Sequence, residues 1–446
     1  MGKSLYYVLL VVGLAISGPM ESTAQFTMSG EIRPRFEYRH GYKSLADSAQ
    51  DHAAFVDQRT RLNFAYKEEG YKFKIVVQDV RVWGSQPQLA SKDGLTAIHE
   101  AWATVIFTKK LSFKFGRQEI ILDDHRIFGN VGWAQQARSH DAGIFLLQRG
   151  KLKWQLGLAY NQDAAGLSGT SAGNGSYKAF QYLWFHNDFT DNLGVSILFL
   201  NNGKQANLMD TSGNVLSATD NYSQTYGSRI SYKKEKIAAH LVYYGQAGVE
   251  GDVVNTRISA SMAGFDFAYK LSSKLTTTIG FERQSGNSQT DTTKAYSEVN
   301  HAFNPFYGTN HKFNGFMDYF YVGNHIGSVG LLDIFFKFKY SPEKYFVGVD
   351  IHMFSAAANV RDEVEFANTG NYETMNSSLG AEIDITCGFE LSKGVKLKAG
   401  YSQMLGTKTL ATLKGVTDYQ HEGRIDETSN WGWLMLIVKP VFIGSK

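Results

Sequence analysis

The residues best suited to chemistry are seven arginines in the first 117 positions: Arg33, Arg35, Arg39, Arg59, Arg61, Arg81 and Arg117. A guanidinium is permanently charged, and its planar fork donates paired hydrogen bonds to carboxylate or phosphate groups. Arg33, Arg35 and Arg39, and again Arg59 and Arg61, are spaced by even numbers of residues, which puts their side chains on one face of a strand. Lys72, Lys74, Lys114 and Lys153 extend the positive set. Acids are interleaved: Glu31, Glu37 and Asp57 beside the first arginines, then Asp79, Glu100, Glu282, Asp333, Asp350, Glu382, Asp384 and Glu390. Two readings therefore stand side by side. Arginines lining a pore would concentrate anions and repel cations. Arginines paired with those acids would only fill and stiffen the interior.

Other reactive types form no catalytic constellation, and no catalytic residue, metal or cofactor is expected. His99-Glu100 and His140-Asp141 are adjacent pairs, and neighbours on an extended strand face opposite sides. Asp123, Asp124 and His125 offer oxygen and imidazole ligands in a loop, but such a trio is more often simply solvated. An enzyme working at an outer rim would have only the loop histidines His125, His301 and His311 to use. The single cysteine, Cys387, reads as a small apolar strand residue. A net charge of +3 is too small to suggest nucleic acid.

The elements that would position these side chains are strands. Phe26, Met28, Gly30, Ile32, Pro34, Phe36 and Tyr38 alternate with Thr27, Ser29, Glu31, Arg33, Arg35, Glu37 and Arg39, giving one greasy and one charged face. The split recurs in Leu152, Trp154, Leu156, Leu158 and Tyr160, in Tyr345, Val347, Val349, Ile351 and Met353, and in Leu379, Ala381, Ile383, Ile385, Cys387 and Phe389. Long strands with aromatics near their ends point to a lipid-facing barrel rather than a soluble sandwich. No run of eighteen apolar residues is present to make a membrane-spanning helix. Lys3, the apolar run Leu5 to Ile16 and the small residues before Gln25 read as a secretory signal peptide over 1–24, leaving one domain over 25–446.

Short polar turns such as Glu68-Glu69-Gly70 and Arg149-Gly150-Lys151 alternate with long segments, among them 120–140, 201–222 and 285–327. Eight short and nine long connections predict eighteen antiparallel strands, with short turns on one rim and long loops on the other. The apolar register slips over Val76 to Trp83, which suggests a bulge. The aromatic-rich segment 285–327 is expected to fold into the barrel mouth and narrow it.

The segments GEIRPRFEYRHG (Gly30 to Gly41), RTRLNF (Arg59 to Phe64), QDVRVWG (Gln78 to Gly84), HEAWA (His99 to Ala103), GRQEI (Gly116 to Ile120), RIFGNVGWAQQARSHDA (Arg126 to Ala142) and FNPFYGTNHKFNGFMDYFYVG (Phe303 to Gly323) resemble the alginate-export family of outer-membrane barrels. That resemblance implies a monomeric eighteen-stranded barrel in a Gram-negative outer membrane, passing an anionic polysaccharide or related acidic sugars. It also implies that Arg33, Arg35, Arg59, Arg61, Arg81 and Arg117 line the pore. The competing expectation is a nonspecific porin or structural barrel whose lumen arginines are salt-bridged.

Overall fold

The computed structural model describes residues 25–47, 51–172, 177–213, 215–252, 255–416 and 428–444. The signal peptide expected over 1–24 lies outside them. In chain order the strands are β1 (Gln25–His40), β2 (Ala53–Lys67), β3 (Tyr71–Val82), β4 (Thr96–Ile106), β5 (Leu111–Gln118), β6 (His140–Arg149) and β7 (Leu152–Tyr160). There follow β8 (Ala179–Asp188), β9 (Leu193–Met209), β10 (Val215–Lys234), β11 (Ile237–Val249), β12 (Arg257–Lys270), β13 (Leu275–Gln284) and a short β14 (Val299–Asn300). The last are β15 (Leu331–Tyr340), β16 (Tyr345–Ser355), β17 (Ser378–Ser392), β18 (Val395–Gly406), β19 (Ser429–Val438) and a short β20 (Val441–Ile443).

Without β14 and β20, eighteen strands pair antiparallel in chain order, and β19 pairs with β1 (Arg35 opposite Met435) to close the ring. β20 resumes pairing with β1 after Pro440, a residue with no ladder donor. Closure leaves no free sheet edge, so the backbone is satisfied internally. That is the condition for a sheet to cross hydrocarbon. The outward register presents Phe36, Leu62, Phe73, Phe115, Leu156, Phe199, Leu241, Phe338, Val347 and Leu434, all exposed. Only lipid matches a belt of that kind.

Where the sequence reading and the fold differ, local register is the reason. The span 201–222 is largely regular: β9 and β10 pair continuously from Tyr232 opposite Leu193 to Ala218 opposite Asn207. Above the bilayer both faces of this hairpin meet water, so apolar alternation disappears although pairing continues. The slip near Val76 is a bulge whose extra residue sits on the partner strand. Val76 faces Glu100 and Val77 faces Ile98, leaving His99 over. A second irregularity beside Gly380 turns Leu379 inward, where it is fully buried instead of facing lipid.

The interior is not uniformly polar. One apolar cluster joins Phe180, Tyr182, Leu198, Leu200 and Met262 of the wall to Ile127, Phe128 and Phe303 of loops. Another joins Phe354, Met404, Trp431 and Trp433 to Leu45, Met317, Tyr319 and Leu410. Glycines make room for inward aromatics: a Cβ at Gly157 would overlap the Tyr182 ring, and one at Gly400 the Trp433 indole.

Candidate functional site

Two loop segments run through the lumen. The segment after β14 begins on the β9–β11 side, where the Asn304 carbonyl accepts from Gln246 Nε2 at 2.7 Å and the Tyr307 hydroxyl donates to Asn202. It passes β15, where Asn314 Nδ2 donates to Asp333 at 3.2 Å, and β17, where Met317 N donates to Glu382 at 2.7 Å. It ends beyond β1, with the Tyr319 hydroxyl donating to the Gly41 carbonyl at 2.6 Å. β9 and the end of β1 lie nearly opposite in the ring, so the segment crosses the lumen.

The segment between β5 and β6 makes the companion crossing. Asp124 accepts from Arg229 of β10 at 3.0 Å, and Arg126 pairs with Glu282 of β13. Trp133 packs against Trp433 of β19, with ring centroids 4.8 Å apart. Gln135 Nε2 donates to Asp57 of β2 at 2.6 Å, and Gln78 of β3 donates to the Gln136 carbonyl at 3.0 Å. The two segments also hold each other. Val131 N donates to Thr309 Oγ1 at 3.0 Å, and Trp133 stacks on His311 at 4.8 Å. His311 in turn bonds the Asp318 carboxylate at 2.9 Å. Burial alone would raise the Asp318 pKa, but His311 and the Tyr42 hydroxyl outweigh it, and the carboxyl sits below its ordinary value.

The arginines divide by register. Arg33, Arg35, Arg39, Arg59 and Arg61 face inward together. Arg33 spends its fork on the loop: NH1 donates to the Gly132 carbonyl at 2.8 Å, and NH2 to the Trp133 carbonyl at 3.1 Å and Gln135 Oε1 at 2.7 Å. Arg35 bridges Glu37 and Asp57, each at 2.7 Å, with its guanidinium 4.2 Å from the Trp133 ring centre. Arg39 pairs with Glu37 at 2.8 Å and Arg59 with Glu31 at 2.5 Å. Arg61 donates to Gln78 at 3.0 Å and lies 4.0 Å from Glu119, while its buried Nη2 has no partner among the described residues.

Arg81 and Arg117 do not join this group. Arg81 pairs across β2 with Gln58, on the register of the lipid-facing Leu62, and is bound by Asp79 and Asp93. Arg117 shares the register of Phe113 and Phe115 and is held by Asp141 at 2.9 Å. Because the bulge falls on β4 and not on β3, the parity of β3 runs unbroken and carries Asp79 and Arg81 outward.

The same bulge brings residues together that simple alternation would separate. Ligand atoms of His99, Glu100 and Glu119 lie within 4.8 Å of one another. They are engaged with protein donors: Lys74 and Trp102 on Glu100, His99 and Asn130 on Glu119. By contrast, Asp123 turns to Trp184 and Ser196 while Asp124 turns to Arg229, so the Asp123-Asp124-His125 run does not converge.

The positive set of Lys72, Lys74, Lys114 and Lys153 extends, beyond what the sequence reading grouped, into a half-ring of lysines near the short-turn rim. Lys337 and Lys339 of β15, Lys396 and Lys398 of β18, Lys72 and Lys74 of β3, Lys114 of β5 and Lys153 of β7 all occupy inward registers, and Lys439 follows β19. Lys337, Lys74, Lys439 and Lys396 have carboxylate partners at 3.0, 2.5, 2.8 and 3.9 Å. Among the described residues, Lys72, Lys114, Lys153, Lys339 and Lys398 have none. Lys114 lies over the Trp102 ring and Lys339 and Lys398 over Phe346. The alternating pairs Lys337/Lys339 and Lys396/Lys398 were the available signal. Between the half-ring and the crossing segments lies a cavity of about 490 Å³ lined by Arg59, Arg61, Lys74 and Lys439 and by the acids Glu31, Glu100 and Glu119, with Asn130 and Gly132 as its loop-side wall.

A closed eighteen-stranded barrel with an apolar belt and a charged, loop-narrowed lumen has the architecture of a Gram-negative outer-membrane β-barrel. No protein-family model matches the chain, and no curated protein matches it in sequence. Solved structures do share the fold. Pseudomonas aeruginosa OccK9 (OpdG) superposes with a TM-score of 0.60 at 10% identity, covering 94% of this chain and 98% of that one. P. aeruginosa OccK5 (OpdH) gives 0.58 at 11% identity over 96% and 100% of the two chains. P. aeruginosa OpdK, solved with vanillate, gives 0.58 at 9% identity over 94% and 99%.

Proposed function

We propose that this protein is a passive channel, acting as a single barrel, through which small anionic solutes cross the outer membrane. The observation that carries the reading is the inward half-ring containing five lysines without carboxylate partners among the described residues. Such a ring raises the local anion concentration where solvent is confined by a low-dielectric wall. Arg61, lining the cavity above it with one guanidinium nitrogen unpartnered among the described residues, adds a donor for a carboxylate, whereas Arg59 is taken by Glu31. The barrel's likeness to OpdK, solved with vanillate, a small aromatic carboxylate, supports the same class of solute.

The crossing segments favour single acids, acidic sugars among them, over an extended chain. Export of a uronate-type polysaccharide, the cargo implied by the alginate-export resemblance, would require both segments to move aside. A second reading, a structural barrel, is favoured by the pairing of Arg35, Arg39 and Arg59 with Glu37, Asp57 and Glu31. Liposome uptake separates these readings from one another and from a nonspecific pore. Gluconate should enter faster than sorbitol, a neutral molecule of similar size, and alginate oligomers should not enter. Equal entry of gluconate and sorbitol would leave a nonspecific pore, entry of oligomers would restore the polymer reading, and no entry would leave a closed barrel.

A further inference from the structure

On the long-loop side of the crossing segments lies a second cavity, about 370 Å³, lined by Arg117, Arg138, Ser139, His140, Asp141, Asn161, Gln162, Tyr177 and Tyr307. Arg138 is set there by its backbone. Its N–H closes on the Asn130 carbonyl at 2.8 Å, and the preceding Ala137 holds a left-handed φ of 55° that an alanine adopts only under constraint. Its guanidinium donates to the Gly308 carbonyl at 3.1 Å, and among the described residues it has no carboxylate partner. The one acid in the lining, Asp141, is already held by Arg117. The cavity therefore carries one uncompensated positive charge.

The remaining lining is polar and aromatic. Tyr177 and Tyr307 meet edge to face at 73°, with ring centroids 5.3 Å apart, and Asn161 Nδ2 donates to the Tyr177 carbonyl at 3.0 Å. The Gln162 amide is exposed and makes no hydrogen bond among the described residues. The volume is at the small end for ligand pockets, enough for one ring-sized molecule.

We propose that this cavity is an outer capture site for a hydroxylated monocarboxylate of sugar-acid size. In it Arg138 takes the carboxylate, Gln162 a hydroxyl, and the tyrosine rings the C–H face. The inference rests on the anion-channel reading and narrows its substrate class. A charge-assisted, bidentate contact is the strong one in such a site. An ammonium at the same position keeps the charge and loses the fork.

The test is calorimetric titration of the purified, folded barrel with glucuronate, glucose and inorganic phosphate. Glucuronate should bind and the other two should not. Arg138→Gln should weaken binding at least about tenfold, Arg138→Lys less, and Gln162→Ala, a change at an exposed side chain, by a few fold. Glucose binding as well as glucuronate, phosphate competing as an equal, or Arg138→Gln and Gln162→Ala both binding like wild type would each overturn the assignment. Wild-type ion selectivity, measured on the same preparation, separates the two failures. An anion-selective channel that ignores glucuronate sinks this site alone, whereas a channel without anion preference sinks the reading beneath it.

Discussion

Arg33 is the residue whose replacement says most about the crossing segments. It is 6% exposed and reaches the Gly132, Trp133 and Ala134 carbonyls and Gln135 Oε1, at 2.7 to 3.3 Å. Arg33→Met keeps much of the aliphatic volume and deletes every one of these bonds. A hydrogen bond to a charged group is worth about 1.5–3 kcal/mol, but bonds sharing one guanidinium do not add. Part of the hold also survives, because Arg35 still donates to the Trp133 carbonyl at 2.9 Å. A net loss of about 3 kcal/mol is reasonable, which is about a hundredfold in the equilibrium for local release. Amide exchange over residues 130–138 should accelerate by that factor, and single-channel conductance should rise. Unchanged exchange and unchanged conductance would refute the view that Arg33 pins this segment across the lumen.

Three further outcomes follow from the geometry. Leu156→Arg, on the lipid face, should cost about 2–4 kcal/mol if it lies at the bilayer midplane, whereas Gln155→Arg should be milder; heat-modified gel migration after urea titration reads the difference. Gly157→Val should cost about 1–3 kcal/mol by pushing a side chain into the Tyr182 ring, and a variant as stable as wild type would mean that this packing is loose. The Asp318 carboxyl, held below its ordinary 3.8, contributes stability that is fully present above that value and is lost as pH falls through the folded-state value. Exchange over residues 310–320, after correction for intrinsic rates, should therefore rise as pH falls below about 4; no rise down to about pH 2 would mean that Asp318 does not latch this segment.

Much of the wall was legible because lipid imposes the same rule on every strand. Apolar residues at Leu152 to Tyr160 or Tyr345 to Met353 must alternate with whatever the lumen needs, and the polar turns between strands count them. Single-residue insertions break that arithmetic without leaving a compositional mark. His99 looks like any strand residue, yet as the bulged position it joins Glu100 on the inner face. Charge and motif place Arg81 and Arg117 with the inner arginines, whereas parity within β3 and β5 sets them on the outer register.

One side of the lysine half-ring, Lys72, Lys74, Lys114 and Lys153, was legible as inward positive charge; the other was written in Lys337/Lys339 and Lys396/Lys398. It could be recognised only once the ring closed and set β15 and β18 on the same side as β3. The crossing of the 120–139 segment had a fainter signal: Ile127, Phe128, Val131 and Trp133 are too apolar for a loop that stays in water.

The most direct measurement of the central claim is the reversal potential of the reconstituted wild-type channel in a potassium chloride gradient at pH 7. The lysine half-ring should give a potential of the sign set by chloride, and replacing Lys72, Lys114, Lys153 and Lys398 together with glutamine should move it toward zero. A potential of the sign set by potassium, or an anion preference untouched by the four replacements, would contradict the proposal that these lysines select the solute.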